Sequence, residues 1–169
     1  MLLNLCTEVK EDWLKQLFPE DFEERRTILF DSTTRRVVYQ VQRRFRDLVL
    51  DSKPIDDAPR QEAARILAEE VLAKRLVLNE WNDVVEQWIQ RVNCLREWMS
   101  ELRIPGINGD DRATLVQQVC LGSVSYKEIK DKPVWPVVKS WLSTQQQAWV
   151  DEYTPERIEL KSGRRAKVA

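Results

Sequence analysis

The chain has 169 residues, room for one domain of ordinary size and too few for two comfortable ones. Hydrophobic residues make up 43% and charged residues 33%, with 27 Lys and Arg against 28 Asp and Glu, so neither a cationic arm nor an acidic tail dominates. Histidine is absent, which excludes Ser-His and Cys-His nucleophiles, His-based acid/base schemes and His-containing zinc or iron sites. The four glycines, Gly106, Gly109, Gly122 and Gly163, fit neither a P-loop nor a dinucleotide fingerprint. Cys6, Cys94 and Cys120 are odd in number and far apart, without C-x-x-C spacing, so reduced intracellular thiols are expected and not a disulfide framework or metal knuckle. Met1 to Leu5 lacks a basic stretch and a long apolar run, and no segment approaches the ~20 apolar residues of a membrane span. A soluble chain with no signal peptide and no membrane partner is expected.

In chain order, a short helix is predicted around Trp13, Leu14 and Leu17, ended by Phe18-Pro19 because the residue before proline leaves the α region. From Thr27, Ile28 and Phe30 lead to the turn composition Asp31-Ser32-Thr33-Thr34. Val37, Tyr39 and Val41 then alternate with Val38, Gln40 and Gln42 at strand period. Leu48-Val49-Leu50 is a third short strand before the turn-like Asp51-Ser52-Lys53-Pro54. Asp57-Ala58-Pro59 reads as an N-cap with proline in the first turn of a helix whose stripe is Ala64, Leu67, Ala68, Val71 and Leu72.

The strongest helical segment is Trp81 to Leu102, with Trp81, Val84, Val85, Trp88, Ile89, Val92, Leu95, Met99 and Leu102 in one arc and Trp98 on its margin. After the loop Pro105 to Gly109, an Asp N-cap opens a helix with Leu115, Val116 and Val119, which Gly122 closes. Ser125 to Glu128 fits a capping box, with Glu128 reaching the Ser125 amide. Val134 to Trp149 reads as one further helix with Pro136 in its first turn. Ile158 and Leu160 then alternate with Glu159 and Lys161, and Ser162-Gly163 turns into Arg164 to Val168. The expected class is α+β: a small antiparallel β-meander, a mainly helical body of four to five helices, and a C-terminal β-hairpin. The division falls at residues 1–56 and 57–169, or the two form one compact unit.

Three constellations bear on chemistry. Arg43-Arg44-Phe45-Arg46 extends the long strand, with Arg25, Arg26, Arg35 and Arg36 at the opposite ends of the same meander. Arginines around an aromatic suit phosphate contact and base stacking on single-stranded nucleic acid. The plainer reading places Phe45 on the inward face of Val37, Tyr39 and Val41, with the arginines solvated and paired to Asp31, Asp47 and Asp51, and charge at strand ends favours it. Gly106-Ile107-Asn108-Gly109 has the bare G-x-x-G spacing of a KH loop, but Asp110 and Asp111 would repel phosphate, so a turn is favoured. The C-terminal stretch carries Arg157, Lys161, Arg164, Arg165 and Lys167 against Glu156 and Glu159. It serves equally as a nucleic-acid-holding hairpin or as an edge strand protected by charge.

Paired carboxylates (Glu23-Glu24, Asp56-Asp57, Glu69-Glu70, Asp110-Asp111) are adjacent and so point apart; caps and solvated faces explain them. Of the seven tryptophans, Trp81, Trp88, Trp141 and Trp149 lie on apolar stripes and belong to packing, whereas Trp13 and Trp98 are candidates for an interaction surface. No catalytic, cofactor-binding or metal-binding residues are expected.

Pro155-Glu156-Arg157-Ile158-Glu159-Leu160-Lys161-Ser162-Gly163-Arg164-Arg165 resembles the P-x-x-I-x-[LV]-P-S-G-x segment near the C-terminus of bacterial HrpB-type DExH-box ATP-dependent helicases. Glu11-Asp12-Trp13-Leu14 with Phe18-Pro19, Phe30-Asp31 with Arg36-Val37-Val38, Leu48-Val49-Leu50, Trp81 with Gln90-Arg91-Val92 and Leu95, and Leu121-Gly122 through Ile129 are similar to the same region. The resemblance runs through essentially the whole chain, and its ordered set of matches is more specific than any one of them. Lys161 departs from it where the family has proline.

The resemblance implies a C-terminal piece of a longer, cytoplasmic bacterial protein whose motor hydrolyses ATP with magnesium. It also implies as partners the motor domains of the same parent chain and single-stranded RNA or DNA. The motor is not in these residues, since the sequence holds no Walker A loop and no Asp-Glu-x-His box, so this chain is not expected to be an enzyme. The nucleic-acid contact candidates are Arg35, Arg36, Arg43, Arg44, Phe45, Arg46, Lys161, Arg164, Arg165 and Lys167. The competing reading is a protein-interaction or purely structural domain without nucleic-acid contact, to which Trp13 and Trp98 point.

Overall fold

The β-branched run that alternates around Val37 and Tyr39 forms the middle strand of an antiparallel sheet in a computed structural model, which describes residues 9–55, 58–159 and 165–167. Helix α1 (Glu11–Leu17) precedes strands β1 (Phe22–Asp31), β2 (Arg36–Phe45) and β3 (Leu48–Ile55), which pair in the order β1-β2-β3. The β1 strand begins at Phe22, five residues before the predicted start. Its exposed Glu23 to Arg26 carries no apolar alternation, and strand is imposed there by pairing with Val41 to Arg44. Arg25 and Arg26 therefore lie mid-strand, opposite Gln42 and Val41, and not at an end of the meander.

The β3 strand also outruns its prediction, passing through Asp51-Ser52-Lys53-Pro54. As an edge strand it tolerates a proline whose missing N–H no neighbour needs. Ser52 further donates to the Gln40 side chain at 2.7 Å. A bulge lets Arg43 face Asp51 and Arg44 face Val49, leaving Leu50 as the extra residue.

The helical body comprises four helices of ten residues or more, α2 (Arg60–Leu72), α3 (Asp83–Trp98), α4 (Gly109–Cys120) and α7 (Thr144–Tyr153), with the single-turn α5 (Tyr126–Ile129) and α6 (Trp135–Lys139) between the last two. Pro59 takes the N-cap position of α2, one residue before its first turn, and the expected cap Asp57 lies outside the described residues. The α3 helix starts at an Asn82 side chain that accepts from the amides of Val84 and Val85. The cap of α4 is Asn108 and not an aspartate; Asp111 returns its carboxylate to the Asn108 amide at 2.9 Å. Gly122, at φ +82, closes α4 where a side chain would be strained.

The predicted 134–149 helix is two helices. Ser143 breaks it by capping α7 in a box with Gln146, and Gln147 donates to the freed carbonyls of Lys139 and Leu142. A closing pair, β4 (Arg157–Glu159) with β5 (Arg165–Lys167), completes the described chain.

The core belongs to the helices. Ala63, Ala64, Leu67 and Ala68 of α2 are buried with Leu115, Val116, Val119 and Cys120 of α4; small residues on α2 let the two helices approach closely. The predicted arc of α3 buries Val85, Trp88, Ile89, Val92 and Leu95, each contributing roughly 1.5–3 kcal/mol, and Trp88 meets Trp135 edge-on at 6.2 Å. Trp81, Trp141 and Trp149 pack against the same core, as their stripes predict, while Leu72 of the predicted α2 stripe and Val84 of the predicted α3 arc face solvent. Among the described residues before 58, Val37 alone is buried. The meander thus borrows its core through Ile28, Phe30 and Val37, which lie at the turn end of the sheet and pack on the helices.

Candidate nucleic-acid interface

The β2 strand is ten residues long, so at ~3.3 Å per residue its two ends lie about 30 Å apart. Both ends carry cations, and their surroundings differ.

At the Phe45 end, Phe45 meets Phe22 at 5.0 Å and Phe18 at 6.3 Å, a small aromatic cluster between α1 and the sheet. Arg46 lies over both Phe18 and Phe45, at 5.4 and 5.5 Å from their centres, and pairs with Asp21 at 2.7 Å. Arg43 bonds Glu11 at 3.1 Å, and Arg44 reaches Glu23 at 3.8 Å and the Asp47 carbonyl at 3.3 Å. Each candidate arginine at this end has an acidic partner. The partners are Glu11, Asp21 and Glu23, not the predicted Asp31, Asp47 and Asp51 carboxylates, because the register and α1 bring acids from across the sheet.

At the turn end, Asp31 orders the chain locally. Its carboxylate accepts from the Thr34 hydroxyl at 2.7 Å and the Thr33 amide at 2.9 Å, and these bonds hold its carboxyl below the ordinary range. Arg35 follows at φ +52, a left-handed position, and is exposed. The turn is then tied to the helical body: Val37 N–H donates to the Val124 carbonyl at 2.8 Å, and Tyr126 N–H donates to the Arg35 carbonyl at 2.9 Å.

This bridge brings Arg35 and Arg36 beside Tyr126, Lys127 and Lys130 of α5 and its C-terminus, around an open cleft of about 540 Å³ that Thr34 and Ser125 also line. The Arg35 guanidinium stands 5.4 Å over the Tyr126 ring. Lys130 is 3.3 Å from Asp131, whose carboxyl is held low first by its bond from Asn79. Among the described residues Arg35, Arg36 and Lys127 enter no ion pair. The nearby Glu128 is engaged otherwise: it accepts from the buried Ser125 hydroxyl at 2.6 Å and from the Val124 amide at 3.1 Å. The predicted capping box is thus displaced by one amide, from Ser125 to Val124.

Tyr126, Lys127 and Lys130 were not among the sequence candidates. Their signal was present, an aromatic between cations in Tyr126-Lys127-Glu128-Ile129-Lys130, but that stretch also reads as a helix start. Of the C-terminal candidates, Lys161 and Arg164 lie outside the described residues, and Arg165 and Lys167 fall on β5. Trp98 ends α3 with 72% of its surface exposed, and Trp13 on α1 is half exposed, with the Lys10 ammonium 5.7 Å from its ring. Gly106 lies in the loop before α4, where Asn93 holds Ile107 by both its amide and carbonyl, and Gly109 is the first residue of the helix. No helix among the described residues is long and apolar enough to cross a membrane, and no group of three Cys, Asp or Glu side chains there is placed to hold a metal.

No family model matches this chain, and no curated protein matches it in sequence. Two solved structures are similar in fold. The Escherichia coli DExH-box NTPase HrpB superposes with a TM-score of 0.57 at 19% identity, over 95% of this chain and 20% of that one. A structure described as the Escherichia coli DEAH/RHA helicase HrpB gives a TM-score of 0.57 at 15% identity, over 100% of this chain and 21% of that one. The chain therefore spans about a fifth of the length of the proteins it resembles.

Proposed function

We propose that this chain is an accessory domain of an ATP-dependent DExH-box helicase, lying C-terminal to the motor, lacking the motor's chemistry and assisting its hold on nucleic acid. The observation that carries the reading is the fold likeness, which takes in nearly the whole chain but only a fifth of HrpB. The residues agree with a non-motor part. Phosphoryl transfer needs a phosphate cradle and magnesium ligands, and the sequence has neither a Walker A loop nor an Asp-Glu-x-His box. ATP and magnesium belong to the motor of the parent, which is also the partner on which this domain packs.

A salt-titrated binding assay on single-stranded RNA and DNA tests the nucleic-acid half of the reading. Affinity should fall on a log-log plot with a slope of about −0.7 for each phosphate contacted. A chain that binds neither strand at low ionic strength refutes direct contact. A steady-state ATPase measurement tests the other half: the isolated chain should turn over no ATP above background.

The exposed Trp98 favours a second reading, a docking module that recruits a protein and leaves nucleic acid to the motor. Under that reading Trp98→Ala weakens docking to the motor, the fold stays intact, and no oligonucleotide binds.

A further inference from the structure

We propose that the cleft between the β1–β2 turn and α5 is the nucleic-acid site, and that it holds a single strand: Arg36, Lys127 and Lys130 meet the phosphates, and Arg35 on Tyr126 forms a platform for an unstacked base. This rests on the nucleic-acid reading above and adds the place and the strand type. The first argument is a comparison of the two ends of the sheet. Near Phe45, a phosphate must displace Glu11, Asp21 or Glu23 from its arginine, whereas at the turn only Lys130 has an acidic partner, Asp131, and Arg35, Arg36 and Lys127 enter no ion pair.

The second argument is preorganisation. Asp31 braces the turn, and two backbone hydrogen bonds fasten it to residues 124–126, so side chains about 90 positions apart in sequence are already convergent and little ordering is left for binding. The third is the ligand's chemistry. A guanidinium over an aromatic ring offers a flat charged surface, and the lysines lie beside it. A strand that alternates phosphates with aromatic planes matches that arrangement, whereas an acidic peptide supplies the charge without the planes. In a duplex the base faces are stacked away, so the platform selects single strands.

The test uses the 169-residue chain and fluorescein-labelled oligo(dT) and oligo(U) of about 20 nucleotides, a duplex of the same length and a poly-glutamate peptide, read by anisotropy between about 50 and 200 mM salt. The combined Arg36→Gln and Lys127→Gln change should weaken single-strand binding about tenfold and flatten the salt slope by about 0.7 for each phosphate no longer neutralised. Tyr126→Leu should weaken it about tenfold with the slope unchanged, and Tyr126→Phe, which keeps the ring, should bind as the parent does. Arg43→Gln with Arg46→Gln, at the other end of the sheet, should leave both quantities in place.

Salt-sensitive binding that ignores the Arg36, Lys127 and Tyr126 changes overturns the cleft and leaves the accessory-domain reading standing. An unsubstituted chain that binds no oligonucleotide overturns the cleft and the nucleic-acid half of the proposed function together. Duplex bound as tightly as single strand overturns the strand type, and poly-glutamate bound as tightly as oligo(U) overturns the ligand class.

Discussion

Replacing Glu128 with alanine should lower the stability of the domain while leaving its affinity for an oligonucleotide equal or higher. Glu128 is exposed, yet its two oxygens accept from the Val124 amide and from the Ser125 hydroxyl, and Ser125 keeps only 7% of its surface in solvent. Truncation leaves a buried hydroxyl without its acceptor and a half-buried amide that water can reach. The first costs roughly 1–3 kcal/mol and the second less than 1, so about 2 kcal/mol is expected in all. For a chain of this length, that corresponds to a fall in melting temperature of about 4–8 °C.

Glu128→Gln should fall between, because its carbonyl oxygen still accepts from Ser125 while its NH₂ offers the Val124 amide no lone pair. Both changes also remove a negative charge beside Arg35, Arg36, Lys127 and Lys130, which is why affinity moves the other way from stability. Thermal melts followed by circular dichroism, with anisotropy on the same samples, separate the two effects. An alanine variant melting within about 1 °C of the parent, well under 1 kcal/mol, would refute the assignment of these bonds. A loss of affinity in proportion to the loss of stability would refute the charge argument.

The two kinds of tryptophan should separate cleanly: Trp88→Ala is expected to cost about 3–5 kcal/mol in a denaturant titration, and Trp98→Ala, at an exposed helix end, no more than about 0.5 kcal/mol. Burial raises the Glu86 carboxyl, but bonds from Arg112 at 2.6 Å and from Trp81, with the Arg112 charge, outweigh it and hold the group below its ordinary value of 4.5. Its contribution is therefore full above pH 4.5 and lost as the pH falls through the lower folded value. Glu86→Gln should flatten the acid limb of the stability profile and leave its neutral-to-alkaline shape unchanged. Burial pushes the Cys120 thiol up to about 11, against a small opposing pull from Lys132, so an aromatic disulfide reagent at pH 8 should spare Cys120 in the folded chain and label it after denaturation, as peptide mass spectrometry would show.

Local and periodic features were legible in the sequence alone. The alternation from Val37 to Gln42 is strand because its period is two, and the arc of α3 is buried because Val85, Trp88, Ile89, Val92 and Leu95 recur at helical spacing. Gly122 ends α4 because only glycine adopts φ +82 without strain. These properties depend on neighbours within a turn or two, so they can be read without a partner. The exclusions drawn from absent histidine and absent phosphate loops are of the same kind, since chemistry that requires a residue cannot proceed without it.

Pairing across distance came from the folded chain and from nothing nearer. Glu23 to Arg26 and Asp51 to Pro54 become strand because β2 lies beside them, against their own composition. Arg43, Arg44 and Arg46 acquire acidic partners from α1, from the turn after it and from β1, while Arg35 and Arg36, alike in sequence, acquire none and instead meet Tyr126 and Lys127. Composition counts charges, but the difference between a neutralised cation and one left to bind a phosphate is set by which carboxylates arrive within about 4 Å. That depends on the hairpin's bridge to Val124 and Tyr126, which joins residues about 90 apart and which no local pattern encodes.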